Sequence, residues 1–391
     1  MAAGDAEVQV RYLKKTMETR GYFKALNRLT LYGPFNDPDA VSAANACWDE
    51  IRGLLRKVDR SVSLSCAESD LNAFNGAPAG SWTPVNGVTA QLSRIALEIA
   101  QRTGGLFNPA TARLTDIWGF SPRTFDARYE PSRPYDRPRL AGGALPLPNP
   151  ADVAAAIEAC RLDGLVLERR GAKYGLLKPH SELCLDFGGV AKGWVADAAL
   201  SIARQYGFDH AAYSCESSIA LARSASELAL RRGSADYTLY LTHPRPKGRT
   251  PNCLQMSVHD RAIGTSGDYG RCYELNGILF AHIIDPRTGL PLNVVPEHLD
   301  GTCTRQRGLC TVTLLGPDAG SADALATALC LMGERDAREF YRDCLAAEGW
   351  DLVAVAYDTD RPEELRLLTS LPAESYRVLD HRLEVETIGG R

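Results

Sequence analysis

Short apolar strand patterns and amphipathic helix patterns follow one another along this chain without a regular strand–helix–strand alternation. Strand candidates such as 28–32 and 238–242 are rich in apolar and β-branched residues. Helix candidates such as 38–58 and 88–102 carry apolar residues three and four positions apart. Because crossover helices in a parallel sheet need that alternation, the order predicts an α+β protein, with mixed sheets flanked by helices, rather than a Rossmann arrangement.

The composition is that of a soluble globular protein. Of the 391 residues, 45% are hydrophobic and 24% are charged, which is enough apolar material for a sizeable core. The net charge of −4 predicts no broad basic surface, so nucleic acid is not an expected partner. No apolar run reaches the roughly 18 residues that a membrane helix needs, so no membrane span is predicted.

The first residues and the cysteines predict a cytoplasmic location. Residues 1–21 are polar and charged, without the apolar stretch of a signal peptide. The 11 cysteines are odd in number and irregularly spaced. This favours reduced thiols over a disulfide framework or a zinc site.

The domain organisation predicted from the sequence is simple. Residues 1–20 are interpreted as a frayed or helical lead-in, and 21–391 as one domain. Residues 121–150 are rich in proline, arginine and glycine without periodicity, which predicts a surface excursion or lid. The short segments predicted to be extended include 61–65, 183–185, 279–284 and 375–379, the last of which would close the sheet.

One stretch joins a strand-like segment to a helix through two glycines. Gly188 and Gly189 follow Asp186, and residues 190–202 carry apolar side chains at helical spacing. Such a turn exposes backbone N–H groups, and a helix N-terminus favours anions. Lys192 would add a positive charge, and Asp186 would bind a hydroxyl, a ring N–H or a metal. The stretch is a candidate phosphate or cofactor site, although paired glycines here are more often plain turn chemistry.

Two further segments place polar side chains near predicted strand ends. Residues 265–269, Thr-Ser-Gly-Asp-Tyr, follow an apolar strand, and their hydroxyls and carboxylate would bind ribose or phosphate, or only form a turn. His282 is predicted within an apolar strand, with Asp285 at its end and a Pro-Arg-Thr-Gly turn after it. A strand histidine is usually packed in the core, but a general base, a hydrogen-bond donor and a ligand all stay open.

The helix predicted at 318–332 carries a candidate metal site. Asp323 and Thr327 are four residues apart and therefore share one helix face. A carboxylate beside a hydroxyl offers the hard oxygen ligands that suit Mg²⁺ or Ca²⁺. From spacing alone, a capping aspartate and a surface threonine remain the simpler interpretation.

These pieces, together and in this order, resemble the family of FAD:protein FMN transferases (ApbE-like flavin transferases). The similarity covers roughly residues 25–360. The matching segments are Asp-x-Gly-x-x-x-Lys-Gly-x-x-x-Asp at 186–197, Thr-Ser-Gly-Asp-Tyr at 265–269, His-Ile-Ile-Asp-Pro-x-Thr-Gly at 282–289 and Ala-Asp-Ala-Leu-x-Thr-Ala at 322–328.

The resemblance implies an enzyme that binds FAD with Mg²⁺ and transfers FMN to a Thr or Ser hydroxyl of a target flavoprotein, releasing AMP. A metal between pyrophosphate oxygens would neutralise developing charge there. The resemblance assigns the metal to Asp323, Thr327 and the Gly189 carbonyl, and the activation of the acceptor hydroxyl or the orientation of the phosphate to His282. The catalytic pair is thus His282 and Asp323. The residues it assigns to the cofactor are Ser65, Asn108, Pro109, Ala110, Asp186, Lys192, Ser266 and Ile284.

The sequence departs from the family pattern at several places. Ser65 stands where the family usually has an aromatic residue that stacks on the flavin ring, and Asn108 replaces a usual aspartate. Cys215-Glu216-Ser217 stands where the family has Gly-Gly-Asp or a similar tight turn. The initial Met-Gly-Thr of the family is not recognisable around 23–27, and the lipoprotein-type signal that many members carry is not seen.

Three functions are therefore compatible with the sequence. The first is FMN transfer to a protein hydroxyl, and the second is hydrolysis of FAD to FMN and AMP, with water in place of the hydroxyl. The third is a flavin-binding or scaffold protein that has lost turnover. The presence of Asp323, Thr327 and His282 argues against the third.

Overall fold

The described part of the chain comprises residues 13–22, 25–121, 129–130, 139–140, 147–222, 237–245, 250–361 and 364–389 of a computed structural model. Most of the predicted excursion at 121–150 lies outside these residues. The division into a lead-in and one domain from residue 21 stays a prediction.

Eight α-helices lie in the described residues, and five of them begin after a residue whose side chain accepts a hydrogen bond from the first turn. Asp37 caps the first helix by accepting a hydrogen bond from the Asp39 N–H at 3.0 Å, and Pro38 occupies its first turn. None of the helices is both long and apolar enough to cross a membrane. They are α1 Pro38–Val62, α2 Asp70–Asn75, α3 Gly87–Arg102, α4 Ala112–Ile117, α5 Pro150–Ala159, α6 Ala191–Gln205, α7 Pro296–Leu299 and α8 Ala319–Phe340.

The described strands are mostly short and antiparallel. They are β1 Leu13–Thr19, β2 Asn27–Gly33, β3 Trp82–Val85, β4 Tyr129–Glu130, β5 Arg139–Leu140, β6 Val166–Arg170, β7 Lys173–Leu177, β8 Ala211–Cys215, β9 Ser218–Ala222, β10 Tyr237–Thr242, β11 Asn252–Val258, β12 Ala262–Gly267, β13 Cys272–Leu275, β14 Ile278–Ala281, β15 Arg307–Gly316, β16 Asp351–Asp358, β17 Arg366–Thr369, β18 Tyr376–Val378 and β19 Glu384–Thr387.

A central sheet of nine strands runs in the order β1-β2-β8-β9-β12-β15-β16-β17-β19. Its neighbours pair antiparallel except β17 and β19, which pair parallel. Smaller sheets run β10-β11-β18, β3-β7-β6, β13-β14 and β4-β5. Sheets and helices are mixed as predicted, so the α+β fold class is confirmed.

Both faces of the central sheet are covered, and this explains why its middle strands are apolar throughout. On one face, Val312 and Leu314 of β15 pack with α1, α6 and α8 in the largest core cluster. On the other face, Leu315 and Val353 pack with strands β10 and β11 in a second cluster. Side chains of a strand alternate between faces, so a strand covered on both sides needs a continuous apolar run.

A third cluster fastens the segment after β14 to the helices α4 and α5. Trp118 stacks on Phe280 with ring centroids 5.8 Å apart, and Tyr273 stacks on Phe280 at 5.2 Å. The indole N–H of Trp118 donates to the Gly289 carbonyl at 2.7 Å. These contacts hold the 282–289 motif in a defined place beside the central sheet.

Several local predictions from the sequence were wrong. The lead-in is not helical or frayed over β1, which pairs with β2 over its whole length. Residues 61–65 are not extended, because α1 continues to Val62 and a turn follows. Strand β18 does not close the central sheet; it pairs with β11 in the second layer, and β17 and β19 continue the central sheet instead.

Residues 183–185 are irregular rather than a strand. Here one side chain replaces a neighbouring strand: the Asn75 amide oxygen accepts from the Leu185 N–H at 2.8 Å, and the Asn75 amide donates to the Leu185 carbonyl at 3.0 Å. The strand predicted at 279–284 ends at Ala281. His282 therefore follows the strand instead of lying within it.

Candidate active site

The paired glycines form a turn that is tied to the 108–110 loop. The Asp186 N–H donates to the Pro109 carbonyl at 2.7 Å, and Asp186 Oδ1 accepts from the Gly188 N–H at 2.8 Å. Helix α6 then begins at Ala191 without a side-chain cap. Uncapped N–H groups at a helix start favour an anion, so the geometry supports the predicted phosphate site.

Lys192 crosses from this turn to helix α8. Its ammonium donates to the Gly188 carbonyl at 2.9 Å and lies 3.5 Å from Asp323 Oδ2. The Lys192 side chain is 19% exposed, so the charge faces solvent only in part. One cation thus connects the glycine turn with the predicted metal-binding carboxylate.

Glycines allow α8 to approach both α6 and the central sheet. A Cβ atom at Gly264 of β12 would lie 2.3 Å from the Ala322 carbonyl carbon, and one at Gly193 of α6 would lie 1.9 Å from the Ala319 oxygen. Neither position has room for a side chain. Close backbone packing therefore brings the 186–197, 265–269 and 322–328 motifs together, as their joint occurrence suggested.

Asp323 and Thr327 face Ser266 across this contact. Ser266 Oγ and Thr327 Oγ1 are 2.8 Å apart, and Thr327 Oγ1 donates to the Asp323 carbonyl at 3.2 Å. Asp323 is only 3% exposed, and its Oδ2 accepts no hydrogen bond from the described residues. A buried carboxylate oxygen without a donor is costly unless a ligand completes it.

The donor set fits a hard divalent cation. Asp323 supplies a carboxylate oxygen that accepts no hydrogen bond from the described residues and lies 3.5 Å from the Lys192 ammonium, and Thr327 supplies a hydroxyl. Among the described residues no three His, Cys, Asp or Glu side chains form a metal-binding group. An ion here would therefore depend on one carboxylate, with hydroxyl, carbonyl and substrate oxygens completing its shell.

The hydrogen bonds of His282 define which of its ring nitrogens carries the proton. Its backbone N–H and its Nδ1 both approach the Arg271 carbonyl, at 3.0 and 3.1 Å. A carbonyl only accepts, so Nδ1 carries the proton and Nε2 keeps its lone pair. Loss of solvation, and then the charges of Arg271 and Lys192, lower the pKa of His282 to about 3. The imidazole is thus neutral at physiological pH.

The turn after His282 uses its charged residues for its own structure. Asp285 accepts from the Arg287 N–H at 2.8 Å and pairs with the Arg287 guanidinium at 2.8 Å. Ile284 is 5% exposed and lies in the Trp118 cluster, so only its backbone can face a cofactor. Ile284 also bridges to Pro291, which closes the turn.

The predicted cofactor residues that precede this turn in the sequence differ in their exposure and in their hydrogen bonds within the protein. Asn108 accepts from the Ala110 N–H at 2.8 Å and donates to the Cys160 carbonyl at 3.0 Å, so its amide is used within the protein. Pro109 and Ala110 are buried. Ser65 is exposed, and within the described residues no recorded contact joins it to Lys192 or the other site residues.

The Cys215 position lies next to the site. Burial raises the pKa of the Cys215 thiol to about 12, whereas the Lys192 charge lowers it and Asp323 raises it. Glu216 follows in the left-handed region, with φ of 51°, at the hairpin between β8 and β9. The departure from a glycine pair therefore puts a buried thiol within electrostatic range of Lys192 and Asp323, followed by a residue in the left-handed region.

Asp268 is not available to a ribose, which corrects one of the two sequence interpretations of 265–269. Its two oxygens each accept from the Arg245 guanidinium at 2.7 Å, and it is 1% exposed. The alternative interpretation, a simple turn, is also incomplete, because Asp268 and Arg245 form a buried ion pair. No local sequence pattern predicts this pair, since Arg245 lies 23 positions from Asp268.

A cavity of 530 Å³ lies between the segment after His282 and the 330–333 part of α8. Asp285, Arg305, Arg307 and Cys330 are among its lining residues. The thiol of Cys330 also contacts the Ser266 carbonyl at 3.6 Å. Its volume is within the range of small-molecule sites, about 300–1,000 Å³.

Comparison with known proteins finds one matching family and relatives that share one name. Residues 27–348 match the model of the ApbE family. The FAD:protein FMN transferase of Treponema pallidum is 27% identical over 304 residues, which are 75% of this chain and 73% of that protein. The FAD:protein FMN transferase of Vibrio cholerae is 26% identical over 285 residues, 73% of each chain.

Solved structures show the same fold. The flavin transferase ApbE from Vibrio cholerae superposes with a TM-score of 0.68 at 21% identity, covering 89% of this chain and 97% of that one. The ApbE protein from Thermotoga maritima superposes with a TM-score of 0.66 at 22% identity, covering 88% and 94%. With a family match over most of its length and this shared fold, the chain belongs to the ApbE family.

Proposed function

We propose that this protein is a Mg²⁺-dependent FAD:protein FMN transferase that moves FMN from FAD to a Thr or Ser hydroxyl of a target flavoprotein and releases AMP. The single observation that carries the proposal is the buried Asp323 Oδ2, which lacks a donor and lies 3.5 Å from Lys192. The names of the relatives agree with it.

The FAD pyrophosphate is proposed to lie between the Gly188–Gly189 turn and α8. The uncapped start of α6 and the Lys192 ammonium would offset its negative charge. The backbone at 108–110 and Asp186 would position the FMN side, and Ser266 the other side of the pyrophosphate. The 530 Å³ cavity would receive the adenosine half. Ser65, being exposed, would contact the flavin only at its edge.

Asp323, Thr327 and the Gly189 carbonyl would hold Mg²⁺. When bound, the ion supplies charge neutralisation at the pyrophosphate oxygens. The rest of the chemistry is assigned to His282. Its Nε2 lone pair would accept the proton of the acceptor hydroxyl as the hydroxyl oxygen bonds to the FMN phosphorus. The bond from that phosphorus to the bridging oxygen breaks, and AMP leaves with the electron pair.

The protonation of His282 supports this role. A base must carry a free lone pair at working pH, and a pKa of about 3 keeps the imidazole neutral. The Arg271 carbonyl sets which nitrogen is free. A weak base is a poor proton acceptor in its ground state, so the neighbouring negative pyrophosphate would need to raise the pKa of His282 when FAD is bound.

A cytoplasmic location is part of the proposal. It is supported by the 11 cysteines, between which the described part of the chain forms no disulfide. Cell fractionation with antibody detection would test it, and recovery of the protein only from an exported fraction would contradict it.

The test of function is to incubate the protein with FAD and Mg²⁺, with and without a flavoprotein that carries an acceptor threonine. AMP release and flavin bound covalently to the acceptor are measured. We expect both, and we expect loss of both after EDTA treatment and in Asp323→Ala and His282→Ala.

The other outcomes are informative. An acceptor whose threonine is replaced by valine controls for non-covalent flavin. AMP release without labelled acceptor would indicate hydrolysis of FAD. Tight FAD binding without AMP in every condition would leave a flavin-binding protein and contradict both enzyme functions.

A further inference from the structure

The start of α8 is held by a side chain from another helix. Both carboxylate oxygens of Asp197, on α6, accept from the Ala319 N–H at 2.9 Å, and one of them also accepts from the Gly320 N–H at 3.0 Å. The first N–H groups of a helix have no partner within it. Asp197 therefore supplies hydrogen-bond acceptors for two of these N–H groups, which have none within α8.

A second carboxylate caps the same helix locally. Asp318 precedes α8 and accepts from the Ser321 N–H at 2.7 Å. This contact is an ordinary N-cap and moves with its own helix. The Asp197 contact differs because it spans two elements. It links the first turn of α8 to the helix that carries Lys192 and follows the Gly188–Gly189 turn.

The two helices are in close contact at Gly193, where a Cβ atom would lie 1.9 Å from the Ala319 oxygen. Asp323 follows Ala319 by one helical turn. Any shift of the first turn of α8 relative to α6 would therefore change the separation between Lys192 and Asp323.

We propose that Asp197 is a positioning residue of the metal and pyrophosphate site, which sets the distance between the Gly189–Lys192 turn and the Asp323–Thr327 face of α8. The inference rests on the proposed function, because it concerns the same site. Asp197 touches neither substrate nor metal in this arrangement. It acts through the backbone of α8.

Burial acts against the ionised form of this carboxylate. Loss of solvation raises the pKa of Asp197 to about 7; the Ala319 and Gly320 N–H groups lower it, Asp318 raises it and Arg204 lowers it. A folded pKa above the unfolded value means that the contribution of Asp197 to stability falls as pH rises from about 4 to about 7.

The test compares the same substitution at the two carboxylates. In Asp197→Asn one carboxylate oxygen becomes an NH₂ group. An NH₂ group only donates, so it cannot accept a hydrogen bond from the Ala319 or the Gly320 N–H, and it faces one of them. In Asp318→Asn the cap is kept, because asparagine is as good an N-cap as aspartate. Binding of Mn²⁺, used as an EPR-visible probe, is titrated for the full-length proteins with and without FAD, and AMP release is followed against metal concentration.

We expect Asp197→Asn to weaken Mn²⁺ binding about tenfold, the scale measured for groups that orient metal ligands, and excess metal to restore most of kcat. Asp318→Asn should bind Mn²⁺ as the unmodified protein does. A merely structural role would lower the amount of active protein without changing the metal concentration at half-maximal rate.

If Asp197→Asn does not fold, Asp197→Glu serves instead. It keeps the charge and the acceptors but adds one methylene to a close contact. A folded variant of either kind that binds Mn²⁺ as tightly as the unmodified protein would overturn the inference and leave the proposed function intact. If the unmodified protein binds no Mn²⁺ and releases no AMP, the proposed function and this inference fail together.

Discussion

Two buried carboxylates on opposite faces of the central sheet show how differently the same group can be used. Asp268 is 1% exposed, and both of its oxygens are paired with the Arg245 guanidinium at 2.7 Å. Asp323 is 3% exposed, but its Oδ2 has only the Lys192 ammonium at 3.5 Å and no hydrogen bond. The protein satisfies both oxygens of the first carboxylate with hydrogen bonds, whereas one oxygen of the second accepts none from the described residues.

The residues around Asp268 and those around Asp323 differ in the same way. Around Asp268 the neighbours stabilise an ion pair: Arg245 also lies over the Tyr357 ring, 4.5 Å from its centroid. On the same side of the sheet His243 and Asp380 are both buried and joined at 3.2 Å. Around Asp323 the neighbours are a lysine, a hydroxyl pair and an uncapped helix start. Buried charge by itself therefore does not identify a site, whereas an incomplete set of partners does.

The largest expected effect is on stability at Asp268. Asp268→Asn would leave Arg245 buried without a counter-charge, and we expect the free energy of unfolding to fall by about 3–5 kcal/mol. Urea denaturation measures it. Asp336→Asn, in the exposed pair with Arg335, is the matched control and should show no measurable change. A fall in the free energy of unfolding of less than about 1 kcal/mol in Asp268→Asn would contradict the structural role of Asp268.

The next effect is on activity at Asp323. Asp323→Asn keeps the shape but weakens a metal ligand, so AMP release should fall by at least about a hundredfold. Stability should fall by less than in Asp268→Asn, because Oδ2 accepts no hydrogen bond from the described residues and only the ion pair with Lys192 at 3.5 Å is lost. Thermal denaturation and AMP release are measured on one preparation. Reduced stability with retained activity would reverse the assignment.

A smaller effect separates two hydroxyl pairs of similar length. Thr327 pairs with Ser266 at 2.8 Å at the site, and Thr313 pairs with Thr265 at 2.9 Å between strands β12 and β15. Thr327→Val should lower AMP release about tenfold, whereas Thr313→Val should cost about 1 kcal/mol of stability and little activity. Equal losses of activity in both variants would show that the Ser266–Thr327 pair has no special role.

The smallest change is expected in the titration of His282. Its pKa of about 3 predicts that its ring proton signals in the free protein do not move between pH 7.5 and 5, whereas in urea they titrate near about 6.5. The lowered pKa means that the contribution of His282 to stability is present above about 6.5 and is lost as pH falls toward 3. NMR on the protein and on His282→Gln assigns the signal, and movement near pH 6.5 in the folded protein would contradict the proposed tautomer and burial.

Local signals account for most of what the sequence predicted correctly. The start of α1 at Pro38, the helix from Ala191 after two glycines, and the shared face of Asp323 and Thr327 all depend on residues within about four positions. Helical hydrogen bonds and caps connect near neighbours, so the chain itself contains their partners. The ordered motifs then allowed the site residues to be grouped before their distances were known.

Other features were decided only by tertiary packing. Asn75 supplies the hydrogen bonds of 183–185 from 110 positions away, and Asp197 caps a helix that begins 122 positions later. Strand β18 joins the second layer, and His282 falls just beyond β14. Neighbouring residues do not encode such partners, because a buried polar group takes whichever donor or acceptor the fold brings within hydrogen-bonding distance. The sequence by itself determined the α+β class and grouped the candidate site residues, and the close packing of α6, α8 and β12 decided which of their polar atoms lack a hydrogen bond from the described residues.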